Sequence, residues 1–144
     1  MASRKDTFFL PLKPNATQRS RCACRGRYPS VYTAPKYKEW KAEALPILKQ
    51  LAAERDFSEV HDFPVTVLVE VISDRPKTTK LYAPGGDNDN YEKGIFDIIT
   101  KSKGWWKDDK QIVDNRTVKR WAEDDEEAGY RVTIEFIGDR PFSQ

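Results

Sequence analysis

Residues 63–72 read FPVTVLVEVI, and no other stretch constrains the fold as strongly. Val65, Val67, Val69 and Val71 alternate along one face, while Leu68 and Ile72 occupy the other. Branched side chains at every second position suit an extended backbone. Apolar residues on both faces suit a strand that has neighbours on either side. The run predicts a largely buried, central strand, around which the rest of the chain must build a sheet and its cover.

The remaining elements follow from periodicity. FFLPL (8–12) reads as a short first strand closed by Pro11 and Pro14. From Tyr37 to about Glu54, the residues Tyr37, Trp40, Ala44, Leu45, Leu48, Leu51 and Ala52 recur at helical spacing, and Pro46 is expected to kink or break the helix near Leu45. SDRPKTTKLYAPGG (73–86) is a polar connection ending in two glycines. A second helix runs from Asn88 to about Thr100, with Asp or Asn at its cap and Tyr91, Ile95, Ile98 and Ile99 on its apolar face. Two strands, 111–121 and 128–137, come last, and the acidic turn AEDDEE is expected to join them as an antiparallel hairpin. The order is β-α-β-α-β-β. This is an α+β fold with a small mixed β-sheet and two main helices, one domain over residues 1–144.

Composition excludes several classes. Apolar runs are only a few residues long, so no membrane span is expected. The opening MASRKDTFFLPLKP lacks the pattern of a secretory signal, and a cytoplasmic location is expected. Cys22 and Cys24 stand one residue apart, and His61 is the only histidine, too few ligands for a tetrahedral zinc site. Two reduced thiols are the simpler reading.

Charge is unevenly distributed. Residues 1–49 carry 11 Lys and Arg against 3 acids, whereas residues 50–144 carry 14 against 20. The segment KPNATQRSRCACRGRYPSVYTAP (13–35) has no acidic side chain at all and reads as a long basic loop or irregular hairpin. Its guanidinium groups suit phosphates, and Tyr28 and Tyr32 suit stacking on bases or sugars. One end of the chain favours polyanions; the other gathers carboxylates.

The carboxylates concentrate in DNDNYEKGIFD (87–97) and in WWKDDKQI (105–112). Asp89, Lys93 and Asp97 are four apart, so an i,i+4 ion-pair ladder on one helix face explains them without any chemistry. It leaves Asp87, Asp108 and Asp109 unexplained. An EF-hand fails, because its glycine and bidentate glutamate positions hold Glu92 and Ile98. A few carboxylates around an open Mg²⁺, with a lysine near the phosphate, fit the composition better.

The stretch DNDNYEKGIFDIITKSKGWWKDDKQI (87–112) resembles the signature of the RusA family of Holliday junction resolvases, with its D-x-D-N-x-x-K helix start and its later DD-x-Q. LPLKPNATQRSR with GR at 26–27, and VDNRTVKRW with Lys119, resemble the family's opening and its strand ending in lysine. The resemblance covers about residues 8–137. It implies a homodimeric, Mg²⁺-dependent endodeoxyribonuclease, with Mn²⁺ able to substitute, that cuts four-way junction DNA symmetrically in recombination and repair. Such enzymes are common in phage and prophage genomes, which implies a bacterial cytoplasm.

By resemblance the catalytic set is Asp87, Asp89, Lys93 and Asp109, with the metal held by Asp87, Asp89 and Asp109. Asp97 is expected to orient Lys93. Asp108 supports the site, or replaces Asp109, since KSKGWW carries an extra residue against the family pattern. DNA contacts are expected from Lys13, Asn15, Arg19, Arg21, Arg25, Arg27 and Lys119. One of Trp105 and Trp106 is expected in the core and the other at the dimer interface or wedged into the junction. Two rival readings are a non-catalytic branched-DNA-binding protein and a metal nuclease for other structures such as flaps.

Overall fold

A computed structural model describes residues 3–16, 21–25, 28–32 and 35–143. Its elements in chain order are β1 (Arg4–Leu10), β2 (Arg21–Arg25), β3 (Tyr28–Tyr32), α1 (Pro35–Arg55), β4 (Val65–Ser73), α2 (Asn88–Ser102), a 3-10 turn (Asp109–Gln111), β5 (Ile112–Trp121) and β6 (Gly129–Phe136). The α+β class and the order of the two helices and four main strands are those expected. The basic segment contributes a separate antiparallel hairpin, β2 with β3, in which Arg21 is paired with Tyr32 and Arg25 with Tyr28.

The main sheet has the order β1-β6-β4-β5. β4 is interior, parallel to β5 and antiparallel to β6. Register places Val65, Val67, Val69 and Val71 opposite Phe136, Ile134, Val132 and Tyr130, and all eight are buried. Phe8 and Leu10 of β1 extend the same face. Each such side chain removed from water contributes roughly 1.5–3 kcal/mol. On the opposite face Ile72 is fully buried, but Leu68 is only half-buried.

Both helices cover the valine face. α1 buries Tyr37, Trp40, Ala44, Leu48 and Ala52, and α2 buries Tyr91, Ile95, Ile98 and Ile99. Pro46 does not end α1, which continues to Arg55. Pro46 is exposed, so the carbonyl of Ala42 that loses its helical donor can turn to water.

Two expectations are corrected. β5 and β6 are not a hairpin, because β4 lies between them. The connection 122–128 therefore spans two strand spacings, about 10 Å. It is fastened by Arg120, whose guanidinium grips Glu126 through Nη1–Oε1 at 2.5 Å and Nη2–Oε2 at 2.7 Å. Glu70 of β4 lies 3.7 Å from Arg120 and 4.0 Å from Arg131, so charges from three adjacent strands meet there. The second correction concerns the tryptophans. Trp105 and Trp106 are both buried, and their indole N–H groups donate to the Leu48 carbonyl at 3.2 Å and to Thr100 Oγ1 at 2.7 Å. Neither is placed to wedge DNA. Among the described residues no helix is long and apolar enough to cross a membrane.

Candidate active site

Asp87 is the N-cap of α2, in extended backbone (φ −71°, ψ 136°). Its carbonyl accepts from the N–H of Asn90 at 3.0 Å and of Tyr91 at 3.2 Å, but its side chain makes no capping bond. An aspartate here ordinarily spends its carboxylate on those free N–H groups. This one leaves it open, at the end of the helix where negative charge is most stable. Asp89, in the first turn, is also exposed, and so is Lys93 one turn later.

The first turns of α2 are held by β5. Asn88 Nδ2 donates to the Thr117 carbonyl at 3.1 Å. The Glu92 carboxylate accepts from Thr117 Oγ1 at 2.7 Å and from the Asn115 amide. Just before Asp87, the Gly86 carbonyl accepts from Lys119 Nζ at 2.8 Å, and the Tyr91 ring packs so closely that a Cβ on Gly86 would lie 2.6 Å from its hydroxyl. Asn88, Glu92, Gly86 and Tyr91 are therefore positioning residues that sequence reading did not single out. Asn88 and Glu92 sit four apart and so share a face, but only the tertiary neighbour β5 gives that spacing its meaning.

The second acidic pair divides its labour. Asp108 caps the 3-10 turn: its carboxylate accepts from the Lys110 N–H at 3.0 Å, while Gln111 Oε1 accepts from the Asp108 N–H at 2.7 Å. The bond from Lys110 holds the Asp108 carboxyl below its ordinary range. Asp109 makes no such cap. Partial desolvation, then the adjoining Asp108 carboxylate, push its carboxyl up.

Asp97 is not a partner of Lys93. It pairs instead with Lys101 at 3.3 Å and Lys41 at 3.7 Å, and accepts from the Tyr37 hydroxyl at 3.3 Å. The expected Asp89–Lys93–Asp97 ladder is absent among the described residues, because α1 brings its own lysine and tyrosine to Asp97. The Asp97 carboxylate adds to the same upward push on Asp109. From Asp87 to Asp97 the helix advances about 15 Å. Among the described residues no three acidic, His or Cys side chains of one chain gather into a group that could hold a metal ion.

The remaining candidates are spread out. Lys13 is exposed. Asn15 is clasped by Tyr130, its N–H donating to the buried phenolic oxygen at 2.9 Å. Lys119 already spends one of its three donors on Gly86, which makes it a support for the Asp87 loop as well as a cation. Arg21 and Arg25 occupy the ends of β2, and Arg19 and Arg27 lie outside the described residues. Cys22 and Cys24 fall within β2. His61 supports the loop of the second acidic pair through its carbonyl, which accepts from Lys107 N–H at 3.0 Å and Gln111 Nε2 at 2.7 Å. A concavity of about 970 Å³ is lined by residues such as Phe57, His61 and Trp105 and includes none of the four catalytic candidates.

Two open carboxylates at a helix start, with a lysine a turn away that forms no ion pair among the described residues, provide hard oxygen donors and a cation for a phosphate. No curated protein matches the chain. Residues 11–135, most of its length, match the family described as endodeoxyribonuclease RusA, and the chain belongs to that family.

Proposed function

We propose that this protein is a divalent-metal-dependent endodeoxyribonuclease that resolves four-way DNA junctions by paired, symmetric hydrolysis. The observation that carries the reading is the uncommitted Asp87 carboxylate at the start of α2, beside exposed Asp89 and one turn from exposed Lys93. The donor set suits Mg²⁺, with Mn²⁺ as a substitute, because both are oxygen-seeking and tolerate an open, partly hydrated site. Held by Asp87, Asp89 and Asp109, the ion would supply Lewis-acid polarisation of the scissile phosphate and an activated water.

The chain's own residues do the rest. Lys93 offsets negative charge that grows on the phosphate oxygens. Lys119, through Gly86, and Tyr91 fix where Asp87 stands. Asp108 is occupied as a cap, which favours Asp109 as the third ligand. The basic residues Lys13, Arg19, Arg21, Arg25 and Arg27 hold the DNA backbone.

Two matched cuts call for a two-fold dimer. Among the described residues no three acidic, His or Cys ligands gather within one chain, so a dimer also offers a way to complete each site, with Asp109 of one copy meeting Asp87 and Asp89 of the other. Mixing inactive Asp89→Asn with inactive Asp109→Asn then restores one working site per mixed dimer, whereas sites built within one chain stay dead.

The decisive test is Mg²⁺-dependent cleavage of a synthetic four-way junction by Asp87→Asn, Asp89→Asn and Asp109→Asn. Each should retain its fold and junction affinity and lose cleavage. Near wild-type cutting by all three would show the carboxylates to be structural. A panel including flaps and single strands tests the choice of target.

A further inference from the structure

The connection from β4 to α2 carries features that neither the sheet nor the carboxylate site uses. Tyr82 is 99% exposed, and Leu81 beside it is 57% exposed. Among the described residues the Tyr82 ring packs on no other ring and its hydroxyl has no hydrogen-bond partner. Leaving so large an apolar surface in water is unfavourable.

The segment is nevertheless well fastened. The Leu81 carbonyl accepts from the Trp121 indole N–H at 3.0 Å, and the Leu81 N–H donates to Thr79 Oγ1 at 3.2 Å. Thr79 N–H donates to the Pro76 carbonyl at 3.2 Å, and Gly86 is held by Lys119 at 2.8 Å. Tyr82 thus projects between two backbone anchors on β5. Fully extended chain from Tyr82 to Asp87 spans at most about 17 Å. That is a few nucleotides along a strand, at roughly 3.4 Å each.

The same segment is basic. Arg75, Lys77 and Lys80 are exposed and form no ion pair among the described residues, and Asp74 is its only acid before Asp87. Cations close to an exposed aromatic are the makings of a surface for nucleic acid, in which phosphates meet the cations and a base stacks on the ring. A protein partner would be met by a broader apolar area than Tyr82 and its neighbour Leu81 present, and the exposed cations Arg75, Lys77 and Lys80 precede them.

We propose that Tyr82 stacks on an unpaired or splayed nucleobase beside the cleaved phosphate, while Arg75, Lys77 and Lys80 grip the adjoining backbone. This rests on the nuclease reading above and adds a second DNA-holding arm, on the opposite side of Asp87 from the basic hairpin in sequence. A four-way junction supplies such a base at its branch point, where stacking is easily interrupted.

The test uses full-length protein carrying Asp89→Asn to prevent cutting, and a junction with 2-aminopurine at the branch. Adding Tyr82→Ala should weaken binding about tenfold, within the range for one base–aromatic stack, and abolish the change in 2-aminopurine emission. Tyr82→Phe should behave like tyrosine within about twofold, since the ring face does the stacking. Melting temperature should stay unchanged in both, as expected of a side chain wholly in solvent. Unaltered affinity in Tyr82→Ala, or a Tyr82→Phe protein as weak as Tyr82→Ala, overturns the proposal. If the protein ignores four-way junctions but Tyr82→Ala loses affinity for single strands, stacking stands and the junction reading falls.

Discussion

Gln111 donates from its amide nitrogen to the His61 carbonyl at 2.7 Å, fastening the acidic turn to the segment that leads into β4. The same nitrogen donates to the Phe63 carbonyl at 2.8 Å, and Oε1 accepts from the N–H groups of Lys107 and Asp108 at 2.8 and 2.7 Å. The side chain is buried with its polar atoms fully used. Gln111→Leu would strand the Phe63 carbonyl and the Asp108 N–H, while the His61 carbonyl and the Lys107 N–H keep each other at 3.0 Å. Each buried orphan costs about 1–3 kcal/mol, partly relieved by water, so roughly 3 kcal/mol of stability should be lost. Urea denaturation measures this. Cleavage should fall even at temperatures where the variant is folded, because Asp109 follows the turn. Full activity in a folded Gln111→Leu would separate the turn from the chemistry.

Gly86→Ala tests positioning more directly. The new Cβ would lie 2.6 Å from the hydroxyl of Tyr91, whose ring is buried and cannot swing away freely. The backbone bearing Asp87 must move instead. We expect a stability loss of about 1–3 kcal/mol, typical of overpacking, and a cleavage loss far beyond it. The double variant Gly86→Ala, Tyr91→Leu removes the hydroxyl and the ring carbons that would lie 2.6–2.8 Å from the new Cβ and should recover part of the activity. No recovery would place the defect elsewhere.

Acid should expose the clasp on the 122–128 connection. Arg120 draws the Glu126 carboxyl down to about 2, against about 4.3 in an unfolded chain. A depressed folded value stabilises the native state above the unfolded value and loses that contribution as pH falls towards 2. Glu126→Gln should therefore be less stable than wild type by roughly 1–2 kcal/mol at pH 7, allowing for partial exposure. The gap should narrow below about pH 4 and close near pH 2. Thermal unfolding of both proteins across that range reads it out; a gap independent of pH would mean that Glu126 acts by packing alone.

What the sequence made legible was local. The valines of β4, the apolar stripes of both helices and the Asp87 cap rest on periods of two and 3.6, and each stands where expected. The spacing from Asp108 to Gln111 is itself that of a capping box, although the resemblance rather than the spacing drew attention to it. What was not legible depends on neighbours distant in sequence. An acidic turn between two strands reads as a hairpin until β4 is known to lie between them. Asp97 reads as a partner of Lys93 until α1 delivers Lys41 and Tyr37. Adjacent tryptophans normally point apart, yet the turn around Gly104, at φ +100°, buries both. The proposed Asp87–Asp89–Asp109 set joins residues from two separate segments, and such a juxtaposition depends on tertiary or dimer contacts rather than on sequence spacing.

The two proposed DNA-holding segments should differ in their response to salt. Lys13, Arg19, Arg21, Arg25 and Arg27 carry five positive charges with no acid among them. Phosphate contacts release counterions, and each steepens the dependence of log affinity on log salt by about 0.9. Replacing Arg19, Arg21, Arg25 and Arg27 with Ala should flatten the slope by as much as ~3–4, as well as weaken binding. Tyr82→Ala should weaken binding at every salt concentration and leave the slope unchanged, since a stacked ring displaces no counterion. Binding isotherms on one junction from about 50 to 200 mM salt, the range over which the effect is large, distinguish the two. An unchanged slope in the arginine variant would remove the basic hairpin from the DNA interface, and a flattened slope in Tyr82→Ala would mean that this arm works through its charges rather than through its ring.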